Sequence, residues 1–184
     1  YLNQPFDIRF LARFGSADNG GEALAFVLQG QGITALGAGG NGLGYKDIIP
    51  SLGIEFDTKR DVLLGDPAYD HIAIHKAGSV FHPAATNLAG PVQASVSSIN
   101  IEDGQQHLIR ITWQPVGDTL RVYFDNTLRL SLHTSLVNSV FAGSSHVWWG
   151  ITSATSGIFN AHAVCLVQTP SAGAVSVAEM CYGD

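Results

Sequence analysis

Charged residues are scarce in this chain. Asp, Glu, Lys and Arg make up 13% of its 184 residues, well below the roughly 25% usual for soluble domains, while 46% of the residues are apolar. The net charge of −6 argues against nucleic acid as a partner, because nothing here could neutralise a phosphate backbone. No apolar run approaches the roughly 20 residues that a membrane-spanning helix needs. With 21 glycines, the composition is typical of extracellular β-sandwiches, and we expect a secreted or cell-surface protein.

Cysteine is also nearly missing. Cys165 and Cys181 are the two cysteines, and both lie near the C-terminus. In an exported protein we expect them to form one disulfide that ties down the end of the chain, whereas a cytosolic protein would keep two free thiols. No signal peptide precedes Tyr1, so we expect a mature or trimmed chain.

Alternation of apolar and polar residues is the commonest pattern in the sequence. It predicts half-buried antiparallel strands at residues 6–14, 107–113, 119–125 and 128–132. More continuously apolar runs predict strands central to a sandwich at residues 23–29, 52–56, 71–74, 147–151 and 163–167.

Helical spacing occurs in one segment, SLVNSVF at residues 135–141, where we predict one or two turns. About ten to twelve short strands separated by turn residues indicate an all-β antiparallel sandwich. No linker or shift in composition divides the chain, so we predict a single domain over residues 1–184.

Acidic groups concentrate in IEFDTKRDVLLGDPAYDHIAI, residues 54–74. Carboxylates beside an imidazole repel one another unless a cation lies among them, and such a donor set suits divalent ions. Glu55 and Asp57 share one face of a strand, and a hairpin would bring Asp66 and His71 back to them. We therefore predict two adjacent ions that share Asp57 and Asp66.

The two ions would differ in their other ligands. One would add Glu55 and His71, whose oxygen and nitrogen donors favour a transition metal. The other would add Asp61 and the backbone carbonyl of Lys59, an all-oxygen set that suits calcium. The alternative is a solvated acidic loop with one hydrogen-bonded histidine. The remaining histidines look scattered and form no recognisable catalytic triad; they are His75, His82, His107, His133, His146 and His162.

The acidic segment resembles the metal loop of the legume-type (L-type) lectins, whose pattern is a V-E-F-D-T strand, a loop with Asn, then D-P and H-I-G-I. Further segments resemble the same family in the right order: GEALAFVLQ (21–29), GAGGNGLGY (37–45), VWWGITSATSG (147–157) and FNAHAV (159–164). The resemblance implies a concanavalin A-like jelly roll, a non-catalytic lectin domain of bacterial or eukaryotic type, and a glycan or glycoconjugate as ligand.

The resemblance also implies which residues bind the ions and the sugar. A manganese-type ion would be held by Glu55, Asp57, Asp66 and His71, and Ca²⁺ by Asp57, the carbonyl of Lys59, Asp61 and Asp66; both ions would order the binding loops. The sugar would be bound by Glu22, Gly40, Asn41, Asp61, Ile158 and Phe159.

Two positions depart from the family pattern. Glu22 stands where the family has Asp, and its side chain is longer by one methylene. Asp61 stands where the family has Asn, and a carboxylate cannot donate a hydrogen bond to a sugar hydroxyl. The family also has a cis bond before its Asp, which for Gly21–Glu22 would cost roughly 3 kcal/mol. The domain could therefore bind an unusual glycan, bind weakly, or serve as an adhesive or structural module without sugar binding.

Other interpretations concern enzymes and aromatic residues. Glucan-cleaving enzymes with this sandwich carry E-x-D-x-x-E, but Arg60 replaces the last acid after Glu55 and Asp57, so we do not expect an enzyme. The tryptophans could form a sugar platform, although alternation favours the core, and Phe159 could be a sugar contact or a core residue.

The family has an additional strand before a segment like LNQPFDIRF. That strand is trimmed here, supplied by another chain, or absent. The sheet edge left behind would invite pairing, for example in a homodimer.

Overall fold

The computed structural model describes residues 1–167 and 180–182. Eleven strands, a 3₁₀ turn at Gly40–Gly42 and the short helix α1 at Leu136–Ser139 make up this described part. The strands are β1 Phe6–Arg13, β2 Ala23–Gln29, β3 Ser51–Asp57, β4 His71–Lys76, β5 Asn87–Gln93, β6 His107–Gln114, β7 Thr119–Phe124, β8 Thr127–His133, β9 Trp148–Ala154, β10 Ala163–Val167 and β11 Met180–Tyr182.

Two antiparallel sheets pack face to face. One has six strands in the order β11-β10-β1-β6-β7-β8, and the other has five in the order β5-β4-β3-β2-β9. The all-β sandwich predicted from the alternation is confirmed, and α1 lies inside the segment predicted to be helical. The core between the sheets contains large buried side chains such as Phe10, Phe26, Phe56, Trp113 and Phe124.

The five-stranded sheet is also covered on its outward face. Along β2, Leu24, Phe26 and Leu28 pack in the core between the sheets, while the smaller residues between them pack in a second cluster with Leu43 and Tyr45. The strand is buried on both faces, which explains why its sequence is continuously apolar. The loop that carries Leu43 and Tyr45 thus lies over the outward face of this sheet.

Some expectations for the strands are wrong. The run at residues 147–151 was expected at the centre of a sheet, but β9 is an edge strand and Trp149 is 47% exposed. A continuously apolar sequence does not show whether a strand pairs with a neighbour on both of its edges or on only one. The strands β5 and β11 were not predicted. Pro91 interrupts the pattern of β5, and this strand lies at the sheet edge, where proline is tolerated.

The end of the described chain bears on the predicted disulfide. The register of β10 and β11 places Cys165 directly opposite Cys181. The side chain of Cys181 lies outside the described residues, so the disulfide stays a prediction.

Candidate metal and carbohydrate site

The strands β3 and β4 position most of the predicted metal ligands. Asp57 pairs with His71 across the two strands, and Glu55 lies two residues before Asp57 on the same face. The side chains of Glu55, Asp57, Asp66 and His71 are all buried. This is the hairpin arrangement expected from the spacing. It lies on the outward face of the five-stranded sheet, since Ala25 of the second cluster pairs with Glu55.

Three imidazoles converge on the carboxylate of Glu55. Its Oε1 lies 3.1 Å from Nε2 of His75, 3.3 Å from Nε2 of His82 and 3.5 Å from Nε2 of His71. His82 Nε2 also lies 2.9 Å from His71 Nε2 and 3.2 Å from Oδ1 of Asp66. We call these five residues the histidine cluster.

The expectation that His75 and His82 are scattered is wrong. His75 is four residues after His71 on the same strand, so both rings lie on one face, and this spacing could have revealed it. His82 reaches the cluster from the loop after β4, and no local pattern marks it. Tyr45 was missed as well: its hydroxyl lies 3.1 Å from Oε2 of Glu55 and 3.0 Å from the carbonyl of Ser79.

The electrostatics of the site favour a cation. Burial alone would raise the pKa of Glu55, but hydrogen bonds with His71 and His75 lower it below its usual range. Burial raises the pKa of Asp57, and the nearby carboxylates of Glu55 and Asp66 raise it further. Buried carboxylates that repel one another in this way are stabilised by a divalent ion, so the residues present fit one.

The structure distinguishes between the two predicted ion positions. Within the described ranges, donor atoms lie within 4.8 Å of one another in two groups, Glu55–His75–His82 and Asp66–His71–His82. Neither group contains Asp57 or Asp61. Nitrogen donors are therefore preassembled in the histidine cluster, whereas the all-oxygen set stays a prediction.

The loop between β3 and β4 nevertheless folds around the acidic residues. The backbone N–H of Lys59 donates to Oδ1 of Asp57 at 2.8 Å, and that of Asp61 donates to Oδ2 of Asp66. Asp61 lies nearer the surface, where its carboxylate accepts a hydrogen bond from Asn41 Nδ2 at 3.0 Å. That bond lowers the pKa of Asp61 and outweighs the effect of burial, which raises it.

Lys59 and Asp61 connect three of the segments predicted to surround a sugar. The ammonium of Lys59 donates to Oε1 of Glu22 at 2.8 Å and to Oγ of Ser156 at 3.3 Å. Asp61 holds Asn41 of the glycine-rich loop, and a Cβ on Gly40 would lie 3.8 Å from Ser156. The peptide bond Gly21–Glu22 is cis. The start of β2, the metal loop, the glycine-rich loop and the turn after β9 therefore meet.

The apolar candidates lie on the surface of the turn after β9. Phe159 is 77% exposed and Ile158 is 39% exposed, so the alternative that Phe159 is a core residue is wrong. Ile158 also lines a cavity of about 400 Å³ together with Lys59, Tyr69 and His71. Of the predicted sugar-binding residues, Glu22, Gly40, Asn41, Asp61 and Phe159 do not line this cavity.

The tryptophans occupy different environments. Trp113 is a core residue, as expected, and donates a hydrogen bond to the carbonyl of Leu2. Trp149 stacks on Phe26 at 5.7 Å between ring centroids and remains partly exposed on the edge strand. None of the three lines the 400 Å³ cavity. The helices in the described part are far too short to cross a membrane.

The two packed sheets and the loops above their outward face define a concanavalin A-like lectin fold. The family model of the legume lectin beta-barrel domain matches residues 1–168, so the chain belongs to that family. The membership predicted from the sequence motifs is therefore confirmed.

Solved structures of plant lectins share the fold. A peanut lectin with a bound 9-residue peptide is 18% identical, with a TM-score of 0.65 over 90% of this chain and 73% of its own. A Bauhinia forficata lectin in complex with GalNAc is 15% identical, with a TM-score of 0.62 over 88% and 73%. The basic winged bean lectin with Tn-antigen is 20% identical, with a TM-score of 0.59 over 82% and 60%. The chain thus spans about 60% of the length of the winged bean lectin.

Proposed function

We propose that this domain is a carbohydrate-binding module whose binding loops are ordered by Ca²⁺ and a second divalent ion, and that it works outside the cell or at its surface. The observation that carries the proposal is the contact among the loops that were predicted to surround the sugar. Lys59 bonds to Glu22 and Ser156, and Asp61 bonds to Asn41, so one short metal loop contacts each of the other segments.

Calcium would lie between Asp57, Asp61, Asp66 and the carbonyl of Lys59. Calcium takes six to eight oxygen ligands in a flexible geometry, which three carboxylates and a backbone carbonyl can supply together with water. The backbone N–H groups that now bond to Asp57 and Asp66 already curve the loop around these carboxylates.

The sugar would lie against exposed groups near this loop. Asn41 has an exposed amide that can both donate and accept hydrogen bonds, and Phe159 offers an exposed ring that can pack on a sugar face. Several of the similar structures are described with galactose, methyl-α-D-galactose or GalNAc. These sugars are therefore the first probes to use.

An adhesive or structural module without sugar binding is the second candidate. The side chain of Glu22 is 4% exposed and is paired with Lys59, so its carboxylate is already engaged. An acceptor held by an ammonium is less able to receive a hydrogen bond from a sugar hydroxyl. This ion pair is the specific reason to keep the second candidate.

A glycan array read with calcium and then with a chelator distinguishes the two candidates. The lectin proposal expects binding that calcium supports and the chelator removes. Phe159→Ala and Asp61→Ala should each weaken it, while Asp47→Asn, at an exposed position outside the site, should leave it unchanged. A folded domain that binds calcium but no glycan on the array would support the adhesive or structural module instead.

A further inference from the structure

We propose that the histidine cluster is a nitrogen-rich site for a zinc-class transition ion, held by Glu55, His71 and His82 with His75 and Asp66 as flanking donors. The inference rests on the proposed metal-bound state of the loop but does not depend on sugar binding. It replaces Asp57, expected from the sequence as a ligand of this ion, with imidazoles that the sequence did not place there.

The distances among the donors fit a single ion. A tetrahedral ion with ligand bonds of about 2.0–2.1 Å holds its donor atoms about 3.4 Å apart. Oε1 of Glu55 and the Nε2 atoms of His71 and His82 are separated by 3.5, 3.3 and 2.9 Å. His75 Nε2 lies 3.1 Å from the same Glu55 oxygen. The three central atoms therefore already form one face of a coordination shell.

Hydrogen bonding alone does not account for the contact between His71 and His82. One N–H can lie between the two Nε2 atoms, and the nitrogen that accepts it then carries no hydrogen of its own. If that nitrogen belongs to His82, it cannot donate to the carboxylate oxygens of Glu55 and Asp66, which lie 3.3 and 3.2 Å away. If it belongs to His71, it cannot donate to Glu55 at 3.5 Å. A cation at the centre would accept the lone pairs of both rings.

Hydrogen bonds at the other ring nitrogen, Nδ1, do not fix the orientation of His75 and His82 either. His75 is fully buried and His82 is nearly so, and Nδ1 of each has no hydrogen-bond partner among the described residues. Coordination through Nε2 would determine the tautomer and orientation of these rings.

The donor set also determines the class of ion. Imidazole suits Zn²⁺, Co²⁺, Ni²⁺ and Cu²⁺, whereas Ca²⁺ and Mn²⁺ suit oxygen donors. A site with two or three imidazoles and one or two carboxylates therefore favours the first group. Every one of its five side chains is buried, and of these only His71 lines the 400 Å³ cavity. An ion there would act on structure and would not be an open catalytic centre.

Cobalt spectroscopy and zinc titration of the whole chain test this assignment. After chelator treatment and dialysis, Co²⁺ should give the intense visible absorption of a four-coordinate ion, and zinc should displace it. His82→Gln should lower the zinc affinity, measured by calorimetry, by about tenfold or more. His133→Gln, which changes an exposed imidazole bonded to Thr119 outside the cluster, should leave it unchanged.

Two results would overturn the proposal: a weak, six-coordinate cobalt spectrum, or zinc affinity that is unchanged in His82→Gln. Urea unfolding and far-UV circular dichroism of each variant show whether the fold persists. If His82→Gln does not fold, His75→Gln and the cobalt spectrum of the unmodified chain still decide the question. Zinc binding without glycan binding would leave this inference standing while the lectin proposal fails.

Discussion

The ammonium of Lys59 lies 2.8 Å from Oε1 of Glu22, and the same nitrogen reaches the hydroxyl of Ser156. Glu22 immediately precedes β2, Lys59 belongs to the metal loop, and Ser156 belongs to the turn after β9. One ion pair therefore joins segments that are far apart in sequence. It also occupies the carboxylate that the resemblance to lectins places beside the sugar.

Removal of the Lys59 ammonium should destabilise the domain. In Lys59→Met the carboxylate of Glu22, whose side chain is 4% exposed, would lose its partner. An unpaired group buried in this way costs about 1–3 kcal/mol; a third of the Lys59 side chain is exposed, which favours the lower half of that range. Urea unfolding measures the loss.

The double variant Lys59→Met/Glu22→Gln provides the control for this prediction. A neutral amide replaces the uncompensated charge, so part of the lost stability should return. If the double variant is as unstable as the sum of the two single variants, the ion pair does not couple the two residues and the prediction is wrong.

Gly53 should be required for the position of Tyr45. A Cβ at residue 53 would lie 2.4 Å from the Tyr45 ring, which is buried and cannot move aside freely. Gly53→Ala should therefore cost about 1–3 kcal/mol through overpacking. Gly150→Ala, on an edge strand with no atom within 4 Å of the added carbon, should change stability by about 0.5 kcal/mol or less. Equal effects of the two variants in urea unfolding would contradict the packing argument.

Glu102 should make stability fall as the pH rises. Burial, followed by the charge of Asp70, raises the pKa of Glu102 from 4.5 to about 7. Between these two values the folded state holds a proton that the unfolded state has lost, so stability decreases with pH and levels off above about 7. The shift corresponds to no more than about 3–4 kcal/mol.

Glu102→Gln isolates this effect, because a glutamine stays neutral at every pH. Its stability relative to the unmodified protein should increase from about pH 4.5 to about pH 7. Asp70, whose burial raises its pKa to about 6, contributes in the same direction, so part of the slope should remain in the variant. The two proteins are compared by urea unfolding in chelator across this range. Parallel pH profiles would show that Glu102 titrates normally.

Asp7 should contribute little to the pH dependence of stability, and its contribution should have the opposite sign to that of Glu102. Arg110 donates two hydrogen bonds to its carboxylate at 2.9 and 2.8 Å, and these, with Arg9, lower the pKa of Asp7 from 3.8 to about 2. Stability from this pair is present above pH 3.8 and is lost as the pH falls through about 2. Because about a third of the Asp7 side chain is exposed, Asp7→Asn should cost no more than about 1 kcal/mol near neutral pH. A larger loss in thermal or urea unfolding would contradict this estimate.

The sequence was most informative where periodicity and local spacing determine geometry. Alternation located most strands, and the two-residue step from Glu55 to Asp57 placed both carboxylates on one face, opposite His71. It was less informative where distant segments meet. The position of His82 depends on how the loop after β4 folds, and the edge position of β9 depends on which strands pair with it. Neither property has a local pattern. The part of His82 in the histidine cluster was missed for this reason, whereas that of His75 could have been found from its spacing to His71.

Tyr45 connects the outer loop directly to the buried carboxylate of Glu55 beneath it. Its backbone belongs to the segment that also carries Asn41, and its hydroxyl ends beside Glu55. A change that moves the carboxylate of Glu55 would therefore act on the phenol of Tyr45 and, through the backbone, on the loop that carries Asn41.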